Sequence, residues 1–348
     1  MRRKVLKALK YIGIGTAAVI VLFFAVRAVG VGINRRTPDG GINQSMYVDI
    51  NGTKQWINIY GEDTDNPVLL YLHGGPGSST SEFDYVITRK WADVYTVVTW
   101  DQRNCGKSYD KKQNDTVLTR QMLLQDGKEI TEFIRNYLSK DKITILGHSW
   151  GSIYGANLVL EYPEYYERFI GTGQLTDAVE NEEAFKNEAI KWAQGDGEAM
   201  KLVEKLTPED VTMEHITARN ALMKKYGYDM MRDGADYNLI TAVIFNPNYS
   251  VSDWIKYFSR DMGSYLDFYR SEEFKSFSIK DRLEYETPYY NINGDNDYQT
   301  NYKLAQEYFD GIKAPYKEMF IMKDTTHGLL ESKSEEFSKI LHKIAEER

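Results

Sequence analysis

Cysteine is almost missing from this chain: Cys105 is the single one in 348 residues. That excludes an intramolecular disulfide and a cysteine-built metal cluster. Histidine is scarce too, with five residues. None pairs with a carboxylate at metal-ligand spacing, so no metal is expected. No G-x-G-x-x-G opens a helix after the first predicted strand, so no dinucleotide is implied. Basic residues are concentrated at one end. Arg2, Arg3, Lys4, Lys7, Lys10, Arg27, Arg35 and Arg36 carry +8 without an acid, leaving −16 for the rest against −8 for the whole. A domain that acidic argues against nucleic acid as a partner. Internal repeats and low-complexity tracts are absent.

One long apolar run is present. Tyr11–Val26 carries no charge, and apolar character resumes after Arg27 through Ile33. As a helix, Tyr11–Ile33 spans about 35 Å, enough for a hydrocarbon core. Arg27 can snorkel to the interface. Basic residues are denser before the run than after it, which puts the N-terminus in the cytoplasm and the rest outside. The expectation is a single-pass anchor in the cell membrane, with an extracytoplasmic domain. The alternative is a signal peptide cleaved near Val26–Arg27–Ala28.

Residues 34–42 read as a polar linker. Ser45–Ile50 and Thr53–Tyr60 flank Asn51–Gly52, the preferred type I′ hairpin pair. Short apolar strands then end in glycine-rich or polar turns: Val68–Leu72, Tyr95–Trp100 and Ile143–Leu146, with a helix at Thr119–Leu138. This alternation predicts a mostly parallel sheet with helices on both faces. Functional groups in such sheets gather beyond the strands' carboxyl ends. Residues 179–280 read instead as successive amphipathic helices, a cap over that edge. The α/β pattern returns with strands Pro288–Ile292 and Tyr316–Met322 and helices Thr300–Phe309 and Ser332–Ala345. The predicted division is 1–34, tail and anchor; 35–178, core; 179–280, helical cap; and 281–348, core again.

The strongest motif is Gly147-His148-Ser149-Trp150-Gly151, a G-x-S-x-G turn between predicted strand and helix. A serine on so sharp a turn projects its Oγ at the open sheet edge, and the glycines let neighbouring backbone pass. Acyl-bond hydrolysis at such a serine passes through an oxyanion that needs preorganised N–H donors. The candidates are Trp150 N–H and a donor from His73-Gly74-Gly75-Pro76-Gly77. In that turn Gly75 is favoured, with Gly74 near the site. A nucleophilic serine also needs a base and an orienting acid. Of the five histidines, His327 lies in the loop after the last predicted strand, the expected place. His342 and His215 lie in helices, and His73 and His148 inside turns already assigned. Gly294-Asp295-Asn296-Asp297 offers two acids. Asp101–Ser108 reads as a charge-paired scaffold for the glycine turn.

Together, His73–Gly77, Asp101–Ser108, Gly147–Ser152, Gly294–Asp297 and His327 resemble the proline iminopeptidase-like α/β-hydrolases, the prolyl aminopeptidase group of serine peptidases. The likeness covers residues 45–348 and is weakest in the cap. Asn104 stands where that family commonly has glycine, and His148 replaces a second glycine. The resemblance implies the α/β-hydrolase fold and puts the triad acid on Asp297. It also implies release of an N-terminal residue, often proline, from short peptides without a cofactor. The cap residues that would bind substrate are not assigned. Two other readings compete. One keeps Ser149, Asp297 and His327 but acts on an ester, amide or lipid. The other is a cap-gated ligand-binding protein with little turnover.

Overall fold

The computed structural model describes residues 2–347; Met1 and Arg348, at the ends of the predicted division, lie outside the described residues. Eight strands form one sheet: β1 Ile42–Ile50, β2 Thr53–Gly61, β3 Val68–Leu72, β4 Thr96–Asp101, β5 Ile143–His148, β6 Tyr166–Thr172, β7 Tyr289–Gly294 and β8 Lys317–Met322. Their order is β1-β2-β4-β3-β5-β6-β7-β8. β1 pairs antiparallel with β2, and β2 with β4. All later pairs are parallel. At the β1–β2 turn, Asn51 and Gly52 take φ 44° and 77°, the double left-handed turn that this residue pair favours.

β3, β4, β5 and β7 are buried along their whole length, as expected of strands covered on both faces. Helix α1 is Arg2–Asn34, followed by α2 Tyr85–Thr88, α3 Arg120–Tyr137 and α4 Trp150–Glu161. One apolar layer joins Trp100, Trp150, Tyr154 and Phe277. The opposite layer joins Trp91, Leu146, Phe337 and Leu341.

Seven helices separate β6 from β7: α5 Ala178–Trp192, α6 Gly197–Val203, α7 Met213–Tyr226, α8 Leu239–Ile244, α9 Val251–Phe258, α10 Gly263–Tyr269 and α11 Glu272–Lys275. Side chains of Asp177, Asp196, Thr212, Asn238 and Ser250 cap the first five, each accepting a backbone N–H, which marks where each helix starts. The insertion carries an apolar cluster of its own around Phe185, Leu206, Leu222 and Met223, and it reaches Tyr298. The chain closes with α12 Tyr302–Gly311, α13 Leu329–Ser332 and α14 Ser334–Glu346.

Two features depart from the sequence reading. That reading has no strand between 162 and 178, whereas β6 lies in mid-sheet. Its charged residues find partners: Glu167 accepts from Thr144 Oγ1 at 3.0 Å, and Arg168 donates to the Ile344 carbonyl at 2.9 Å. Arg27 also differs from the expected snorkelling cation. Its guanidinium donates to the Tyr249 carbonyl, inside the helical insertion.

Candidate active site

Ser149 joins β5 to α4 at φ 56° and ψ −121°, a conformation that costs a non-glycine residue about 1–3 kcal/mol. Flanking glycines make it attainable. A Cβ at Gly147 would stand 2.1 Å from Gly151 O, and one at Gly151 would stand 2.1 Å from Leu72 O. Ser149 N–H donates to Thr172 O at 3.0 Å. Beyond the turn, Ser152 Oγ donates to Ser149 O at 2.6 Å.

His327 and Asp297 meet from loops thirty residues apart, with His327 Nδ1 2.7 Å from Asp297 Oδ2. Both are buried, at 2% and 0% exposure. Asp297 Oδ1 also accepts from the N–H groups of Gln299 and Thr300, at 2.9 and 3.1 Å. Thr300 Oγ1 donates to Asp297 Oδ2 at 3.1 Å. A carboxylate on Nδ1 keeps the ring proton there and leaves Nε2 as the acceptor. The competing acid, Asp295, faces Lys323 at 3.6 Å instead.

Of the candidate triad, the acid–imidazole pair is in contact. Among the described residues, neither Ser149 Oγ nor His327 Nε2 makes a hydrogen bond. His148, the chain neighbour of Ser149, packs its ring on His327, with centroids 4.7 Å apart. A Cβ at Gly74 would lie 3.1 Å from Ser149 Cβ and 3.6 Å from His148 Cδ2. Catalytic hydrogen bonds of this kind often tighten only with substrate bound.

The glycine turn is pinned from behind. His73 Nδ1 donates to Gly74 O at 2.7 Å, and His73 Nε2 accepts from Gln102 N–H at 3.2 Å. Burial pushes the His73 imidazole down to about 4, so the ring is neutral and can do both. Gln102 Oε1 accepts from Trp150 Nε1 at 3.0 Å, tying the turn to the elbow. Arg103 grips Asp126 through two bonds of 2.6 Å. Asn104 takes φ 53°, a region asparagine tolerates where glycine is the usual choice. Gly75 sits at φ 130°. Among the described residues, no hydrogen bond engages the N–H of Gly75 or of Trp150. A buried acidic set lies behind the turn. Burial raises Glu82 to about 7 and Asp101 to about 6.

The remaining histidines have other partners. His215 Nε2 meets Glu182 at 2.9 Å, and Arg219 meets the same carboxylate at 2.9 Å. His342 pairs with Asp93 at 2.8 Å. Three neighbours of the site escaped sequence reading: Thr300, Gly173 and the His148 ring contact. Thr300 had a signal, since an aspartate in a turn commonly accepts from the backbone just after it, as Asp297 does from Gln299 and Thr300. Gly173 had none. Its φ is +51°, and a Cβ there would stand 2.9 Å from His327 Cε1. A groove of about 1020 Å³ lined by Tyr47, Lys54, Asn104 and Lys256 touches none of Ser149, Asp297 and His327.

A mostly parallel sheet with a strained serine elbow at its carboxyl edge, together with a buried carboxylate-held imidazole, is the architecture of a hydrolase. Residues 67–333 match the family described as alpha/beta hydrolase fold, and the chain belongs to that family. Among relatives, the Bacillus subtilis (strain 168) protein named "Probable aminopeptidase YbaC" is 27% identical over 301 residues, covering 80% of this chain and 89% of that one. A proline iminopeptidase of Lactobacillus delbrueckii subsp. bulgaricus is 32% identical over 134 residues, covering 38% and 44%. The chain therefore matches less than half the length of that relative. Among solved structures, the proline iminopeptidase of Mycobacterium smegmatis superposes with a TM-score of 0.60 at 18% identity, over 87% of this chain and 99% of that one. An alpha/beta fold family hydrolase from Bacillus anthracis str. Sterne gives 0.57 at 18%, over 86% and 99%. At that identity the superpositions speak for the fold alone.

Proposed function

We propose that this hydrolase is an aminopeptidase that releases N-terminal residues, of proline type, from short peptides through an acyl-enzyme on Ser149. In this reading His327 Nε2 takes the Ser149 proton as Oγ attacks the scissile carbonyl. Asp297 holds the imidazole and stabilises its charged form. The N–H groups of Gly75 and Trp150 receive the oxyanion. His327 then returns the proton to the leaving amine, and water reverses the sequence. The observation that carries this reading is the buried 2.7 Å contact between His327 Nδ1 and Asp297, beside the strained Ser149. The relatives named as aminopeptidases support the substrate class. Helices α5 to α11 act as a cap, and α1 is a single-pass anchor with the hydrolase domain outside the cell.

The second reading keeps the residues and makes the substrate an ester or lipid. One observation favours it: α1, whose apolar window has no buried residue, packs its end on the insertion. Aminoacyl-arylamides assayed beside short-chain aryl esters separate the two. Proline-arylamide turnover that disappears in Ser149→Ala supports the peptidase. Ester turnover alone overturns it in favour of the second reading.

A further inference from the structure

The last turns of α1 are docked on the insertion between α8 and α9. Asn34 Nδ2 donates to Phe245 O, and Arg35 Nε to Pro247 O, both at 2.9 Å. A Cβ at Gly30 would stand 2.3 Å from the Phe245 ring, so glycine is what lets the two approach. Arg27, the one cation within the apolar run, is satisfied by the Tyr249 carbonyl. A hydrocarbon core of about 30 Å corresponds to about 20 residues of helix. Counted from Tyr11, that reaches Gly30 and Val31, at the level of Phe245.

Both helices flanking this docked segment expose apolar side chains. On α9, Val251, Ile255 and Phe258 are 53%, 66% and 79% exposed. Their spacing of four and three residues puts them on one face. Trp254, on the same side, stacks on Phe258 at 6.0 Å. On α8, Leu239 and Ile240 are 51% and 70% exposed. The polar side of α9 turns inward: Asp253 meets Lys107 at 3.0 Å, and Lys256 donates to Lys107 O. An amphipathic helix with its apolar face outward, next to a membrane-crossing helix, suits the lipid–water interface.

We propose that the exposed apolar faces of α8 and α9 lie in the interface of the bilayer that α1 crosses, so that the insertion rests on the membrane. The proposal rests on the anchor reading of α1. The occupant is lipid, because the exposed residues flank the docked end of α1, whose apolar window is itself unburied. The consequence reaches the site. From the same segment, Asn246 donates to Ser81 O at 2.8 Å and Tyr257 OH to Glu82 at 2.8 Å. Tyr265 blocks any side chain at Gly77, where a Cβ would be 2.6 Å away. The membrane-resting helices and the roof over the glycine turn are therefore one piece.

The test uses the full chain in phospholipid vesicles, with an environment-sensitive fluorophore on Phe258→Cys. Lys142→Cys, exposed just before β5 at the sheet's opposite edge, is the control. Cys105 is buried, and its thiol is pushed up to about 12, so it does not compete for the label. Lipids carrying a nitroxide near the headgroup should quench the probe at 258 strongly and leave the one at 142 bright. Equal quenching at both positions overturns the proposal. So does a blue-shifted probe at 258 that lipid nitroxide leaves unquenched and that turns water-exposed on dilution, which assigns the face to a second copy. Alkaline carbonate washing reads the anchor separately. Release by the wash of a chain whose probe at 258 was quenched before it overturns the anchor and leaves the interfacial contact; release of a chain never quenched overturns both.

Discussion

The imidazole of His148 lies against the imidazole of His327, with ring centroids 4.7 Å apart and planes 33° from parallel. Burial pushes His148 well below the ordinary histidine range, with the nearby His327 a further cause. Its Nδ1 has no hydrogen-bond partner among the described residues. His148 is thus a neutral aromatic wall for the proposed base, and it adds no second cation. His148→Ala should lower kcat by about 10²-fold through a loosened imidazole, with KM little changed. His148→Phe should restore most of the loss. Steady-state kinetics on the two variants check this; a KM effect without a kcat effect would place His148 in substrate binding instead.

The strain at Ser149 makes a prediction about stability. Ser149→Gly relieves the φ 56° backbone. It should raise the unfolding free energy by about 1 kcal/mol, because glycine's freer unfolded chain offsets part of the relief. Ser149→Ala keeps the strain and should leave stability unchanged. Both should lose turnover. Urea denaturation of the pair separates backbone strain from hydroxyl chemistry.

Gly173 is the least conspicuous residue in contact with the site. A methyl there must displace His327 Cε1, 2.9 Å away, at a φ of +51°. Gly173→Ala should cut kcat by about 10²-fold from a displacement of about 1 Å, with Asp297 and Ser149 untouched. Retained activity would mean that the His327 position in the structure is not the working one.

The acidic set behind the glycine turn sets a pH dependence of stability. Burial, then Asp101, raises Glu82 from 4.5 to about 7. A carboxyl with a raised folded value binds more protons folded than unfolded, so stability is full below 4.5 and falls as pH rises through about 7. Glu82→Gln should flatten that decline. Urea midpoints measured from pH 4.5 to 7 in both proteins read the difference; parallel curves would assign the slope to other groups.

Much of the candidate site was legible because its residues need particular backbone. Gly147 and Gly151 announce the elbow, and their Cβ clashes show why. Asn51–Gly52 announces the hairpin. His327 followed from its place after the last strand. Asp297 over Asp295 came from the resemblance, and the contacts of Asp295 with Lys323 supply the physical reason. What stayed hidden depends on distant partners. β6 carries Glu167 and Arg168, whose partners sit on β5 and in the C-terminal helix. Nothing local to Gly30 says that Phe245 will pack on it, and nothing local to Gly173 says that an imidazole will. The strand order is likewise a tertiary outcome, with β4 standing between β2 and β3.

The proposed mechanism requires that His327 activate Ser149. A fluorophosphonate probe tests it directly, since the adduct forms only on an activated hydroxyl. Mass spectrometry of the folded chain should find one adduct, on the peptide carrying Ser149, absent after heat denaturation and at least about 10³-fold slower to form in His327→Ala. An unlabelled Ser149 in folded protein, or labelling at full rate without His327, would contradict the account.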